Sequence, residues 1–306
     1  MSAMWSTNIA KKIDSPGEFL KLIELGTVGT IALKTGGRKT TKPRAQTQTI
    51  QNQVYDLGLD IDVEDVRRDQ GLGMWPAKVA EIGGKFASHI DKLTVALITA
   101  NPTCFDGAAL FSASHTILGA GVQGNLGTSN LQSNLVGKAQ VPGLQVVAPA
   151  TPTALEMAKA IMGVVSWFYT MVDDAGDPIN GVAKKFLITT SNPNLYASAI
   201  AAIGSLQLDQ GVTNPLFAGY EAKGFKFDVA FDPRLGAPGN VVFDTWRTDS
   251  IITPVIWSEE HGVEMMVLGE GSDHYVKENA YYWGAKAVRN VGPGRYQHCV
   301  RSTLTT

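Results

Sequence analysis

Ser112-Ala113-Ser114-His115 is the first place in this chain to look for chemistry. A hydroxyl beside an imidazole becomes a nucleophile only when the fold brings a serine, a base and an orienting acid into hydrogen-bond reach. Adjacency in sequence does not do that, and no GxSxG turn is present. Gly119-Ala120-Gly121-Val122-Gln123-Gly124 matches GxGxxG letter for letter. A dinucleotide site also needs a helix opening on it and an acid about 20 residues further on. Asn125 to Asn134 is a poor helix former and no acid lies between Asp106 and Glu156, so the segment reads as a flexible glycine loop. His89, His115, His261, His274 and His298 show no metal-ligand spacing. Asp173, Asp174 and Asp177 lack the calcium-loop pattern and read as a turn that ends a helix. Cys104 and Cys299 are the only cysteines, which points to free thiols in a reducing compartment. The aromatic residues Trp246, Trp257, Tyr275, Tyr281, Tyr282 and Trp283 read as sheet and contact packing. No catalytic, cofactor or metal site is expected, and the chain reads as non-enzymatic.

The elements explain more than the motifs do. A long polar two-stranded ribbon is expected from Leu33 to Glu64. Tyr55, Leu57, Leu59, Ile61 and Val63 alternate with Asp56, Gly58, Asp60, Asp62 and Glu64, the period of a strand with one covered face. Ala45 to Gln53 is rich in Thr and Gln, and Lys34 to Pro43 forms the apparent turn. Such a hairpin is marginal alone in water, so a neighbouring subunit is its expected support. Before it, Ser15 as N-cap, Pro16 and Glu18 predict a short helix to Leu25. After it, Val79, Ile82, Phe86, Ile90, Leu93 and Leu97 mark one long amphipathic helix from about Trp75 to Ala100, ended by Asn101-Pro102. Residues 101–150 read as an extended loop with short strands. Helices are expected at 153–171 and 194–206. Strands are expected at 185–190, 225–231, 241–243, 251–257, 263–268 and 274–282, with closing segments at 284–289 and 297–301.

Charge is nearly balanced, 26 basic against 28 acidic residues, without the basic excess of a dedicated nucleic-acid binder. It is locally separated, however. Lys34, Arg38, Lys39, Lys42 and Arg44 stand without an acid among them, and Asp56, Asp60, Asp62 and Glu64 follow on the ribbon. These residues are the candidate inter-subunit contacts. They are either complementary patches that meet between chains or a solvated tip beside a solvated strand face. No signal peptide is read at Met1 to Ile9, and no apolar run is long enough to span a membrane.

Arm, ribbon, long helix, separate α/β unit and returning strands follow an order that resembles the HK97-like fold of tailed-phage major capsid proteins. Phe105-Asp106-Gly107-Ala108-Ala109-Leu110-Phe111-Ser112-Ala113-Ser114-His115 resembles the DG-x-x-LFS-x-xH segment of the Mu-like major head subunit family. Val242-Phe243-Asp244-Thr245 and Ile252 to Trp257 are similar to a strand pair of that family. Val276 to Asn279, Tyr281 to Gly284, Arg289-Asn290 and Gly292 loosely resemble its closing region. The resemblance implies an α+β fold with an N-terminal arm (1–27), an extended β-hairpin E-loop (28–66) and a P-domain with a long spine helix (67–150). An A-domain (151–240) and strands returning to the P-domain (241–306) complete it.

It implies a major capsid protein that self-assembles as a homo-oligomer, in pentamers and hexamers of an icosahedral shell. The expected location is the virion capsid, assembled in the host cytoplasm. Implied partners are a separate scaffolding protein, a portal, decoration proteins and packaged DNA enclosed without sequence-specific binding; no cofactor and no membrane are implied. An encapsulin-type compartment subunit and an α/β enzyme with a site in 101–200 are the alternatives. A Lys–Asn crosslink from Lys39 or Lys42 to Asn279 or Asn290 is also conceivable on this fold.

Overall fold

Two sheets of different character carry the chain, and a broken helix runs between them. The computed structural model describes residues 5–25, 45–69, 73–119, 121–208, 211, 213, 214, 216, 217 and 223–306. The N-terminal half contains strands β1 (Ala10–Asp14), β2 (Phe19–Leu25), β3 (Ala45–Gln51) and β4 (Gln53–Asp62) and helices α1 (Val63–Arg68), α2 (Met74–Ala87) and α3 (His89–Ala100). Three two-residue strands follow, β5 (His115–Thr116), β6 (Leu131–Gln132) and β7 (Leu135–Val136). Then come α4 (Ala154–Tyr169), β8 (Lys185–Thr190), α5 (Pro193–Gly204), β9 (Lys226–Phe231) and β10 (Val242–Arg247). The chain ends with β11 (Val255–Leu268), α6 (Asp273–Glu278), β12 (Ala280–Pro293) and β13 (Cys299–Thr303).

The five-stranded sheet has the order β7-β13-β10-β8-β9. It is covered on both faces, which is why Phe186-Leu187-Ile188 runs without a polar break. Phe186, Ile188, Phe243 and Val300 belong to a core built on α4 and α5. Leu187, Trp246 and Cys299 belong to a second core with α3 and the N-terminal residues Trp5 and Ile9. Trp246 is fully buried and donates its indole N–H to Thr189 Oγ1 at 2.9 Å. α4 begins where its sequence predicts, at a capping box of Thr153 and Glu156.

The four-stranded sheet has the order β1-β11-β12-β4, with β1 parallel to β11 and the rest antiparallel. One face packs on α2, where Ile82 and Phe86 meet Leu57, Leu59, Ala285 and Ala287. On the other face Tyr282 lies over Gly58 and Gly284, positions where any Cβ would strike its ring. β4 shows the alternation read from its sequence, with Tyr55, Leu57, Leu59 and Ile61 inward and Asp56, Asp60 and Asp62 exposed.

The long helix is two helices. Ser88 interrupts it: its hydroxyl donates back to Lys85 O at 3.2 Å and competes with the regular ladder. α2 packs on the four-stranded sheet, and α3 continues along β12 into a core that also takes in Leu187, Trp246 and Cys299 of the five-stranded sheet. Asn101 stops α3 in the left-handed region (φ 47°), and its amide grips the Phe111 backbone through bonds of 2.8 and 3.1 Å.

Three local expectations are corrected. Pro16–Leu25 is not a helix: β2 occupies Phe19–Leu25, paired antiparallel with β3 from Phe19↔Gln51 to Leu25↔Ala45. Ser15 does not cap; its hydroxyl donates to Gly17 O at 2.7 Å and closes a turn, and strand pairing then overrides the local helix signal. The ribbon expected at 33–64 is consequently divided. Its first strand, β3, pairs with β2, while β4 pairs with β12 of the same chain and finds its apolar partner on α2. Lastly, 251–268 holds one strand, β11, with irregular register near His261, and Asp273–Glu278 is a short helix capped by Ser272 instead of a strand.

Candidate subunit-contact surface

Lys34, Arg38, Lys39, Lys42 and Arg44 lie outside the described residues. Asp56, Asp60, Asp62 and Glu64 sit on or just past β4, all on its exposed side. Most are already engaged. Asp60 Oδ1 is 2.9 Å from His274 Nε2. Asp62 caps α1, its Oδ1 accepting the Glu64 N–H at 2.7 Å. Glu64 pairs with Arg67 at 2.8 Å within α1. Asp56 stands opposite Lys286 in the ladder and makes no ion pair among the described residues. The structure therefore leaves Asp56 as the freest of the four.

β2 and β3 form a separate two-stranded sheet with no third strand among the described residues. Its base is anchored: Leu20 and Ile50 are buried, Ile50 fills the space above Gly292, and Asn290 Nδ2 donates to Gln51 O at 2.7 Å. That bond also occupies Asn290. Phe19 at the base and Ile23 beyond it are exposed apolar residues on a ribbon that builds no core. Asn279 takes the left-handed cap of α6.

A cleft of about 350 Å³ opens at the helix break, lined by Tyr55, Asp56, Lys85, His89, Lys92 and Arg234 among others. Arg289 lies beneath it, buried, donating to Phe86 O at 2.8 Å and to His89 Nδ1 at 3.3 Å. Burial first, then the charges of Arg289 and Lys92, push His89 down to about 4. His89 is thus a neutral acceptor at neutral pH, and the cleft's positive charge comes from Lys85, Lys92 and Arg234. Lys85 is shared with Glu81 (3.2 Å) and Arg234 with Asp232, whereas Lys92 makes no ion pair among the described residues.

The motif residues that suggested chemistry converge on a buried clamp. His115 Nδ1 lies 2.8 Å from Asp106 Oδ2 and Nε2 lies 3.1 Å from Asn134 Oδ1, while the ring stacks on Tyr296 at 3.7 Å. Ser112 Oγ does not reach the imidazole; it accepts the Ser114 N–H at 3.2 Å. His115 is fully buried, and Asp106 also holds the Ala108 and Thr116 N–H groups. The Asp-Gly…Leu-Phe-Ser…His pattern therefore ties the 101–136 loop to Tyr296, with Leu110 and Phe111 supplying core contacts. In the GxGxxG loop, Gly119 and Gly124 are fixed by backbone approach: a Cβ would strike Asp174 O and Leu131 O respectively. Asp173 Oδ1 accepts the Ala175 and Asp177 N–H groups and makes the predicted turn. Burial pushes the Cys104 and Cys299 thiols well up, which makes both unreactive. Among the described residues no group of His, Cys, Asp or Glu is arranged to hold a metal ion.

One part of the surface was not found from the sequence. His261 to Val267 of β11 is exposed at every position, and Val263, Met265, Met266 and Val267 leave large apolar side chains uncovered. The usable signal was Met265-Met266-Val267, an apolar run without alternation that reads equally as a buried strand.

The model of the Mu-like prophage major head subunit gpT family matches residues 1–148. No curated protein sequence matches. Among solved structures, a chain of the bacteriophage PhiM1 mature capsid superposes with a TM-score of 0.60 at 12% identity, covering 100% of this chain and 88% of that one. A chain of the capsid of a native GTA particle superposes at 0.54 and 11% identity, covering 100% and 91%. A bacteriophage JBD30 capsid chain superposes at 0.53 and 11% identity over 97% of this chain; this chain spans 64% of that one's length. At such identities the likeness is one of fold. Over its first 148 residues the chain is matched to the Mu-like prophage major head subunits, and throughout it carries the α+β, HK97-like fold of phage capsid chains.

Proposed function

We propose that this chain is the major capsid (head) subunit of a phage or prophage, a structural protein that assembles with copies of itself into pentamers and hexamers of a closed icosahedral shell. The family match over residues 1–148 combined with the capsid fold over the whole chain carries this reading. The work is geometric. β2 and β3 form the arm that reaches a sister subunit, with Phe19 and Ile23 as its uncovered apolar contacts. α2 and α3 with the four-stranded sheet act as the P-domain, and α4, α5 and the sheet they cover act as the A-domain. Each contact is small, and a shell closes because many act together.

The enclosed DNA, a separate scaffold, a portal and decoration proteins belong to the same reading, as does location in the virion after assembly in the host cytoplasm. Negative-stain microscopy and sedimentation of the purified protein test it. Shells or capsomer-sized rings are expected. A monodisperse 32.7 kDa monomer at every concentration overturns it.

A further inference from the structure

We propose that the outer edge of β11 pairs antiparallel with the same edge of a second copy, about a two-fold axis at Met266. The proposal rests on the shell reading and names one of the contacts that build it.

β1 covers β11 only from Val255 to Glu259. From His261 onward β11 has β12 on one side and no strand on the other among the described residues. Open edges are normally blunted by lysine, proline or a local kink. The irregular register lies upstream, between Glu259 and Glu264, and the ladder from Glu264↔Lys286 to Leu268↔Tyr282 is regular. That regular segment, Glu264-Met265-Met266-Val267-Leu268, holds no proline and a single charge. Met265, Met266 and Val267 are 54%, 57% and 58% exposed on it.

The side of the sheet that carries Met265 also overhangs α2. A groove of about 510 Å³ runs there between the helix and the sheet, lined by Trp75, Val79, Gly83, Met265 and Trp283 among others. A strand added to the edge would satisfy its free backbone groups and set alternate side chains into this groove. Open edge and apolar groove therefore ask for the same object.

The shell reading supplies a second copy as that object, and the single charge of the segment selects the register. An axis at Met266 sets Met265 against the partner's Val267, and the reverse, both on the groove side, with Met266 beside its own counterpart. Glu264 then faces the partner's Leu268. At about 3.4 Å per residue the two Glu264 carboxylates are roughly 14 Å apart along the strands, beyond the screening length at physiological salt. An axis at Glu264 would place the acids side by side, and one at Met265 would leave them roughly 7 Å apart along the strands. A two-fold axis normal to the sheet keeps both α2 helices on one face, so the two grooves merge under the paired strands.

The test uses assembled particles. M266C particles oxidised with copper–phenanthroline are expected to give a dimer on a non-reducing gel, and wild-type particles a monomer, since Cys104 and Cys299 are buried. Particles co-assembled from M265C and V267C chains are expected to give dimers that neither variant gives alone. Intact particles without these dimers overturn the pairing. So does a dimer from I23C with M265C chains, which would put the β2–β3 ribbon on this edge. Should the variants not assemble, hydrogen exchange on the wild type decides: amides of 264–268 exchanging about tenfold slower in particles than in dissociated subunits support the pairing, and unchanged exchange overturns it. Shells that lack the crosslink sink this contact alone, whereas a wild-type chain that never assembles sinks the shell reading itself.

Discussion

The two sheets solve opposite problems. The five-stranded sheet is closed off within the chain, with α4 and α5 on one face and α3 and Trp5 on the other, so that Trp246, Phe186 and Phe243 are almost fully buried. The four-stranded sheet has α2 on one face and only the short α6 against Tyr282 and Asp60 on the other among the described residues, a small core of Ile82, Phe86, Ala285 and Ala287, and an edge strand whose apolar side chains meet water. The difference separates two uses of apolar surface. In the first sheet it stabilises the subunit; in the second, part of it stays exposed on the subunit's surface. The exposed residues are not errors of packing, since β12 beside them pairs regularly with β11 from Glu264 to Leu268 and with β4 on its other side.

The comparison breaks if the two regions respond alike to mutation. Phe168 of α4 is fully buried, its ring tilted against that of Phe186 on β8. Phe168→Ala should cost about 3–5 kcal/mol, from lost transfer energy and the cavity left behind. Met265→Ser, at the open edge, should change the dissociated subunit by no more than about 0.5 kcal/mol. Urea unfolding of dissociated subunits measures both, and comparable losses at the two sites would remove the distinction drawn here.

A pH series sharpens the contrast from the closed side. His298 is buried, its Nδ1–H donates to Ile252 O at 2.7 Å, and burial followed by Arg247 and Arg295 pushes it down to about 3. The unfolded chain takes up this proton near the usual value of about 6.5, while the folded one resists until about 3. Stability due to this group is therefore whole above pH 6.5 and falls as pH drops toward 3, by at most about 1.4 kcal/mol per pH unit. Asp249 behaves otherwise. Burial raises its carboxyl, but the Arg247 guanidinium at 2.6 Å and the Lys184 N–H at 2.7 Å outweigh that and hold it below the carboxylate range. Its contribution is kept above the unfolded value and lost only below about pH 4. Between pH 6.5 and 4, His298→Gln should thus flatten the acid slope of the wild type in urea unfolding. An unchanged slope would show that His298 is not the group responsible.

How much of this could be read beforehand follows the same division. Elements whose signal lies in their own residues were legible: the Thr153–Glu156 box opening α4, the Asn101 stop of α3, the strict alternation of β4, and the strand at 185–190. The 105–115 motif was legible as a family mark, although its role as a His115–Asp106–Asn134 clamp needed coordinates, because Tyr296 comes from the far end of the chain. What failed were partners. Phe19 to Leu25 fits a helix or a strand equally, and only pairing with Ala45–Gln51, distant in sequence, decides. β4 was correctly seen to need an apolar partner, but that partner is α2 of its own chain. The β11 edge was invisible because Met265-Met266-Val267 has the same composition whether covered or bare.

The smallest effects discriminate most finely, on the acidic side of β4. Asp62 and Asp56 lie on one exposed face, yet Asp62 caps α1 and Asp56 makes no ion pair or side-chain hydrogen bond among the described residues. Asp62→Ala should therefore lower the stability of the dissociated subunit by about 1 kcal/mol, the usual worth of an N-cap. Asp56→Asn should change it by less than about 0.5 kcal/mol, as a solvated charge does. If Asp56 serves a contact between chains, its effect appears only on association. The concentration needed for assembly then rises, and its dependence on salt weakens because one screened attraction has been removed. Light scattering across a salt series reads both quantities. An Asp56→Asn chain that assembles with the wild-type midpoint and salt slope would return this residue to the role of a solvated strand face.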